Sequence, residues 1–228
     1  VDCKIITYGL EGNTDWTLKN FEFDTQGNGS ADAFKHGKLM GRISLNVPGK
    51  HNLMNALAAS IYACDIFGID FEICESALKH YHLAGRRFEL MGENNGVKIF
   101  HDYAHHPSEI KACLDGAKLY PHKKLWVVFQ CNSYTRAMTL KEKYGTSFGV
   151  ADEVLVPDIY PGRDAFTDKI HARDLVDEIN KNTGNAKYLA SFEEIKNYLF
   201  KNWQKGDIVV TLGSGDINKQ QLVFLERY

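Results

Sequence analysis

The chain has 228 residues, 44% of them hydrophobic and 25% charged, with a formal net charge of −2. That length allows one large or two smaller domains with a sizeable core, and the near-neutral balance of scattered basic residues excludes a nucleic-acid groove. Five cysteines at 3, 64, 74, 113 and 131 have no C-x-x-C spacing and read as free thiols of a reducing compartment, hence a cytoplasmic protein.

The chain begins without an initiator Met or a secretory signal, directly on the strand-like run Cys3 to Tyr8, and is expected to be an excised piece of a longer protein. Strand patterns follow at Thr17 to Asp24, Ala31 to His36 and, beyond a Gly37 turn, Lys38 to Val47. After Pro48-Gly49, Leu53, Leu57, Ile61, Cys64 and Phe67 recur at helical spacing until Gly68. The longest apolar stretch, Ala56 to Gly68, is broken by Ser60 and Asp65 and is too short to span a bilayer. A second helix is predicted from an Asp70 cap to about His82, and Ala84-Gly85 is the expected domain boundary.

From Arg87 onward strands alternate with helices, which implies a mostly parallel sheet covered on both faces. Arg87 to Gly92 and Val97 to Phe100 flank Asn94-Asn95-Gly96, a hairpin signal. Further strands are predicted at Leu125 to Gln130, Glu153 to Pro157, Lys187 to Ala190 and Asp207 to Leu212, and Ser191 with Glu194 forms a capping box. The segment His101 to Pro107 lies where the apolar period changes from 2 to 3.6. In an α/β sheet that is the crevice beyond a strand's carboxyl end, where anions and ligands bind.

Five stretches could carry chemistry. Gly49-Lys50 is not a P-loop, because Ser44 and His51 stand where that motif needs Gly and Ser/Thr. Asn52 and Asn55 either read an adenine edge or, for Asn52, cap the helix. Arg86 and Arg87, entering a strand, would point to opposite faces, one toward a phosphate or ribose and one to solvent, or both form a surface pair. Asp102, His105 and His106 could hold a nucleotide, ligate a metal or be loop residues. A metal is weakened by the lack of Cys and of a second His/Asp cluster, and stoichiometric zinc by elemental analysis would favour it. Arg136, beyond the strand ending at Gln130, suits a carboxylate through its planar fork, or forms a surface ion pair. Gly213-Ser214-Gly215 is a small-residue turn that tight packing explains equally well.

In order, P-G-K-H-N-L-M-N-A-L-A-A, G-R-R-F-E, D-Y-A-H-H-P-S-E-I, Q-x-x-S-Y-T-R, D-I-Y and G-D-I-V-V-T-L-G-S-G-D-I resemble the Mur ligases over nearly the whole chain. The resemblance implies a three-domain, ATP- and Mg²⁺-dependent ligase of peptidoglycan synthesis that joins L-alanine to UDP-N-acetylmuramate through an acyl phosphate. It implies an α/β chain: residues 1–84 as the β-rich and helical end of the central ATPase domain, and 85–228 as a Rossmann-like C-terminal domain. The sugar domain and the family's Gly-rich phosphate loop would lie upstream in cis, so these residues alone are expected to be inactive.

By the same resemblance Asn52 and Asn55 meet adenine and His51 shares their motif. Arg87 lies on the nucleotide and Asp102 on its ribose, Tyr103, His105 and His106 lie near the phosphates and incoming amino acid, and Ser133 and Arg136 hold the amino acid, Arg136 by its carboxylate. Cys131-Asn132 replaces the family's usual Pro-His, and Ser133 an arginine often found there. Alternatives are a paralogue that recycles a tripeptide onto the same sugar, a nucleotide-binding module without catalysis, and a metal-dependent hydrolase built on His101, Asp102, His105 and His106.

Overall fold

The computed structural model describes residues 3, 5–10, 13–25, 27–81 and 85–226. It divides into two compact units, residues 1–82 and 83–228. The boundary expected at Ala84-Gly85 involves residues 82–84, which lie outside the described residues.

The first unit is a four-stranded sheet, β1 (Tyr8–Gly9), β2 (Trp16–Phe23), β3 (Asn28–Lys35) and β4 (Lys38–Pro48), in that spatial order, followed by α1 (Lys50–Phe67) and α2 (Phe71–Leu78). β2, β3 and β4 pair antiparallel. The turn between the last two is His36-Gly37, both residues at positive φ (47° and 79°), which matches the twist of a two-residue hairpin. Trp16, Leu18, Ala31, Ala33, Ile43 and Leu45 alternate inward from the strands and are buried, as are Leu53, Leu57 and Ile61 of α1, which packs on β2, β3 and β4. Gly68 ends α1 in the left-handed conformation that a glycine adopts freely.

Two expectations need correction here. Of the strand expected at Cys3 to Tyr8, in which Lys4 lies outside the described residues, the ladder is made only by Tyr8–Gly9: the Thr7 carbonyl still accepts from Trp16 N (3.0 Å), but Asp15 takes both the amide and the hydroxyl of Thr7 (2.7 and 2.8 Å). The second helix stops at Leu78, where the Ala77 and Leu78 carbonyls accept from His80 and Tyr81 in tight i→i+3 turns.

The second unit is a six-stranded sheet built from β5 (Glu89–Asn94), β6 (Val97–Asp102), β7 (Leu125–Phe129), β8 (Glu153–Val156), β9 (Ala186–Tyr188) and β10 (Ile208–Leu212). The order is β5-β6-β10-β7-β8-β9, and only β5 runs antiparallel. α3 (Pro107–Ala117), α4 (Tyr134–Gly145) and α5 (Ala172–Asn182) cover one face, with Ile110, Leu114, Tyr144, Leu175 and Ile179 packed on Phe100, Val127, Phe129 and Val210. α6 (Phe192–Asn202), the four-residue α7 (Ile217–Gln220) and the 3₁₀ turn Gln221–Leu225 cover the other, on Val97, Ile99, Trp126, Val128 and Val209. The chain winds outward from β6 to β9 along the first face. It then returns through α6 and inserts β10 between β6 and β7. That reversal makes the carboxyl ends of β6, β10 and β7 the switch point of the sheet.

The Asn94-Asn95-Gly96 hairpin forms as expected, with Asn95 and Gly96 at φ 51° and 81°. β5 starts two residues later than its pattern suggests, for a reason that belongs to the site. Ser191 caps α6, but Glu194 reaches Ala190 N rather than the Ser191 amide, so only half of the capping box is made. No helix among the described residues is long and apolar enough to cross a membrane.

Candidate functional site

At the switch point Asp102, Leu212 and Phe129 stand side by side as the last residues of β6, β10 and β7. Three loops leave from them: 103–106 into α3, 130–133 into α4 and 213–216 into α7. The alternation of β6 sends Phe100 and Asp102 to the α3 face and Ile99 and His101 to the other.

Asp102 is 6% exposed; its Oδ2 accepts from Phe88 N (2.9 Å) and its Oδ1 from Ala104 N (2.7 Å). Burial raises its pKa, against the opposing pull of the Ala104 and Phe88 amides and the Arg87 charge. The bond to Phe88 N explains the late start of β5. Arg86 and Phe88 take positive φ (66° and 44°), so the arginine pair sits in a turn and not on alternating faces of a strand. Arg87 is exposed, while Arg86 folds inward. The Arg86 guanidinium lies 4.6 Å over the Tyr103 ring, Nε points at His101 Nε2 (3.5 Å), and Nη2 is buried without a hydrogen-bond partner. Sequence reasoning missed this role for Arg86; the doublet alone cannot say which guanidinium turns in.

The two imidazoles after Tyr103 are set to opposite tautomers. His105 Nδ1 lies 3.0 Å from the Tyr103 carbonyl, which can only accept, so Nδ1 carries the proton and Nε2 the lone pair. His106 is the N-cap of α3, its Nδ1 lying 2.8 Å from Ser108 Oγ and 3.4 Å from Ser108 N; an Nδ1 that accepts from that amide, and from the rotatable hydroxyl, leaves the proton on Nε2. Glu109 closes the turn by accepting from the His105 and His106 amides (3.1 and 3.2 Å). Burial pushes its carboxyl up, but those two amides prevail and it stays below the usual range.

Beyond β7, Gln130 bridges to the third loop, donating to Asp216 Oδ1 (2.8 Å) and accepting from Ile217 N (3.1 Å). Ser133 caps α4 by accepting from Arg136 N (3.2 Å), and Arg136 Nη1 returns to the Asn132 carbonyl (3.2 Å). The far end of α4 carries Tyr144, whose hydroxyl donates to the His105 carbonyl (2.7 Å) and whose pKa is raised by burial and, next, by Cys131, with Arg136 pulling the other way. Tyr144 thus links the loop of the two imidazoles to the helix of Arg136. The turn at Gly213 is a packing feature: φ is 149° and a Cβ there would lie 2.7 Å from the Gln130 carbonyl.

The metal-hydrolase alternative does not survive this geometry. His101 and Asp102 face opposite sides of the sheet, and both His101 nitrogens are engaged, Nδ1 with Thr211 Oγ1 at 2.9 Å and Nε2 with Arg86. Among the described residues no three His, Cys, Asp or Glu groups converge.

His51, Asn52 and Asn55 belong to the first unit. Asn52 is not the cap of α1: Gly49 is, and Asn52 sits in the first turn with Nδ2 donating back to the Pro48 carbonyl (2.7 Å). Asn55, one turn on, is exposed, and His51 is half-buried.

Two family models match the chain: the Mur ligase middle domain over residues 1–63, and the Mur ligase, glutamate ligase domain over residues 86–215. Curated relatives include the UDP-N-acetylmuramate--L-alanine ligases of Clostridium tetani (42% identical, covering 99% of this chain and 49% of that protein) and Caldanaerobacter subterraneus (39%, 97% and 48%). The chain spans about half the length of the curated relatives it matches. Among solved structures, the UDP-N-acetylmuramate-alanine ligase of Thermotoga maritima superposes with a TM-score of 0.78 at 26% identity, over 98% of this chain and 47% of that one. A MurF from Acinetobacter baumannii shares the fold at 13% identity (TM-score 0.76, over 98% and 47%).

Proposed function

Because the chain belongs to the Mur ligase family, we propose that it forms the amide-forming half of an ATP-dependent ligase that joins L-alanine to UDP-N-acetylmuramate. The observation that carries this reading is the crevice at the carboxyl ends of β6, β10 and β7, where Tyr144 ties the two imidazoles to the helix of Arg136. The relatives of about 40% identity support the choice of substrates.

In this reading ATP phosphorylates the muramyl carboxylate and leaves as ADP. The alanine amine attacks the acyl phosphate, and the tetrahedral intermediate collapses to an amide with loss of phosphate. Arg136 holds the alanine carboxylate with Ser133 at the head of the same helix, and Tyr103 lines the approach. The amine must shed a proton as it attacks, and His105 Nε2 is the lone pair set to take it. His106 Nε2–H is a donor for the oxygens on which negative charge builds. Asp102 and Arg87 in the second unit are proposed for ribose and phosphate. Asn52 and Asn55 in the first are proposed for adenine, with His51 in the same motif. For Mg²⁺ the described residues offer no converging ligand set, and the ion is proposed to be held mainly by the half of the ligase that this chain does not span, together with the nucleotide phosphates.

Hydroxylamine supplied in place of alanine to the intact protein, with ATP and UDP-N-acetylmuramate, should yield the muramyl hydroxamate together with ADP. Steady ADP release without hydroxamate would overturn the acyl-phosphate route.

A further inference from the structure

Arg136 owes its setting to a loop that none of the sequence motifs covers past its first residues. Residues 158–164 leave β8 and run back against the start of α4. Ser133 N donates to the Tyr160 carbonyl (2.7 Å), and Tyr160 N donates to the Cys131 carbonyl (2.9 Å). Asp164 then closes the seam, its Oδ2 accepting from both Ser133 Oγ and Thr135 N at 2.7 Å. The Ser133 hydroxyl therefore has two partners: it donates to Asp164 and accepts from Arg136 N (3.2 Å).

Ser133 also sits at φ 87°, ψ 130°, a backbone conformation that a side chain disfavours. Such a conformation persists only where the surroundings over-determine it, and it gathers at ligand clamps. Here the surroundings are the Tyr160 carbonyl on the Ser133 amide and the Asp164 carboxylate on its hydroxyl. Gly162 lets the loop approach this closely, since it lies at φ 64° and a Cβ there would come within 2.8 Å of Asn132 Oδ1.

We propose that Asp164 is a positioning residue, which grips Ser133 and Thr135 and thereby fixes the first turn of α4 so that Arg136 presents its guanidinium in one orientation to the carboxylate of the amino-acid substrate. The inference rests on the proposed role of Arg136 and adds a residue that acts only through Ser133 and Thr135. The Thr135 amide and then the Ser133 hydroxyl keep the Asp164 carboxyl below its usual range, so it is an ionised, acceptor-only group at neutral pH.

Three variants of the intact ligase test this: Asp164→Ala, Asp164→Asn and Arg136→Ala. Asp164→Ala removes both acceptor bonds and should raise KM for the amino acid by about tenfold, the factor for one net hydrogen bond of ordinary strength, with kcat and the KM for ATP little changed. Asp164→Asn keeps a carbonyl oxygen that can take both donors and should recover most of the loss. Independently of turnover, amide exchange at Thr135 should speed up in Asp164→Ala, and the Arg136 Nε–H resonance should shift. A raised amino-acid KM in Arg136→Ala without one in Asp164→Ala would overturn this inference and leave the reading of Arg136 standing. Amino-acid KM values unchanged in both variants would overturn the two together. A loss of thermal stability in Asp164→Ala with no split between the two KM values would reduce Asp164 to a structural role and refute positioning.

Discussion

His101 should stay neutral across the physiological range, and the fold should weaken as acid drives a proton onto the imidazole. The ring is fully buried, with Nδ1 2.9 Å from Thr211 Oγ1 and Nε2 receiving Arg86 Nε at 3.5 Å. Burial, and after it the Arg86 charge, pull its pKa from 6.5 down to about 4. The folded form therefore refuses a proton that the unfolded chain accepts. Above pH 6.5 both are neutral and His101 costs nothing; as pH falls from 6.5 toward 4 the unfolded state is progressively favoured, and below 4 the penalty levels off. At 1.36 kcal/mol per pKa unit, a drop of this size corresponds to about 3 kcal/mol of stability lost across that window. Urea denaturation of wild type and His101→Asn at a series of pH values isolates the effect, since asparagine keeps a donor for Thr211 but does not titrate. The wild-type stability should fall relative to that of the variant by this amount between pH 6.5 and 4. Carbon-bound proton shifts of the imidazole give the pKa directly, and Arg86→Leu should raise it. A His101 that titrates near 6.5, or a stability difference flat with pH, would refute the reasoning.

Arg136→Ala in the intact ligase should raise KM for alanine by one to two decades, as loss of a charge-assisted pair costs about 1.5–3 kcal/mol, while KM for ATP holds; an unchanged alanine KM removes Arg136 from the site. His106→Asn should leave melting within about 0.5 kcal/mol of wild type, because asparagine caps helices well. The same variant should lose roughly 10²–10⁴ in rate if the imidazole N–H serves the reaction, and full activity would make His106 a cap and nothing more. Gly213→Ala should destabilise by more than about 1 kcal/mol in a thermal melt, since its φ of 149° and the Gln130 carbonyl 2.7 Å from the added Cβ leave no room. An unshifted melt would show that the turn can yield.

Much of the second unit was legible because its signals are local. The Asn95-Gly96 turn, the change of apolar period across His101 to Pro107 and the strand ends near Gln130 and Leu212 all follow from neighbours in sequence. The insertion of β10 between β6 and β7 is not local; it is set by which buried strand fits between two others, and no pattern within β10 encodes it. The site divides in the same way. Asp102 and Arg136 could be singled out as candidates because they stand at the end of β6 and in the first turn of the helix after β7, whereas the inward turn of Arg86 depends on Asp102 accepting Phe88 N, a contact across 14 residues. Asp164 left no signal at all, since its partners Ser133 and Thr135 lie 31 and 29 residues away. The tautomers of His105 and His106 were equally hidden, because they are chosen by the Tyr103 carbonyl and the Ser108 amide and not by the residue type.

The central claim is tested most directly by giving the intact protein ATP, Mg²⁺ and UDP-N-acetylmuramate with either L-alanine or the tripeptide used in recycling, and identifying the product by mass. The account predicts one UDP-N-acetylmuramoyl-L-alanine, one ADP and one phosphate per turnover with alanine, and little product with the tripeptide. Efficient ligation of the tripeptide with alanine ignored, or nucleotide hydrolysis with no amide formed, would contradict it.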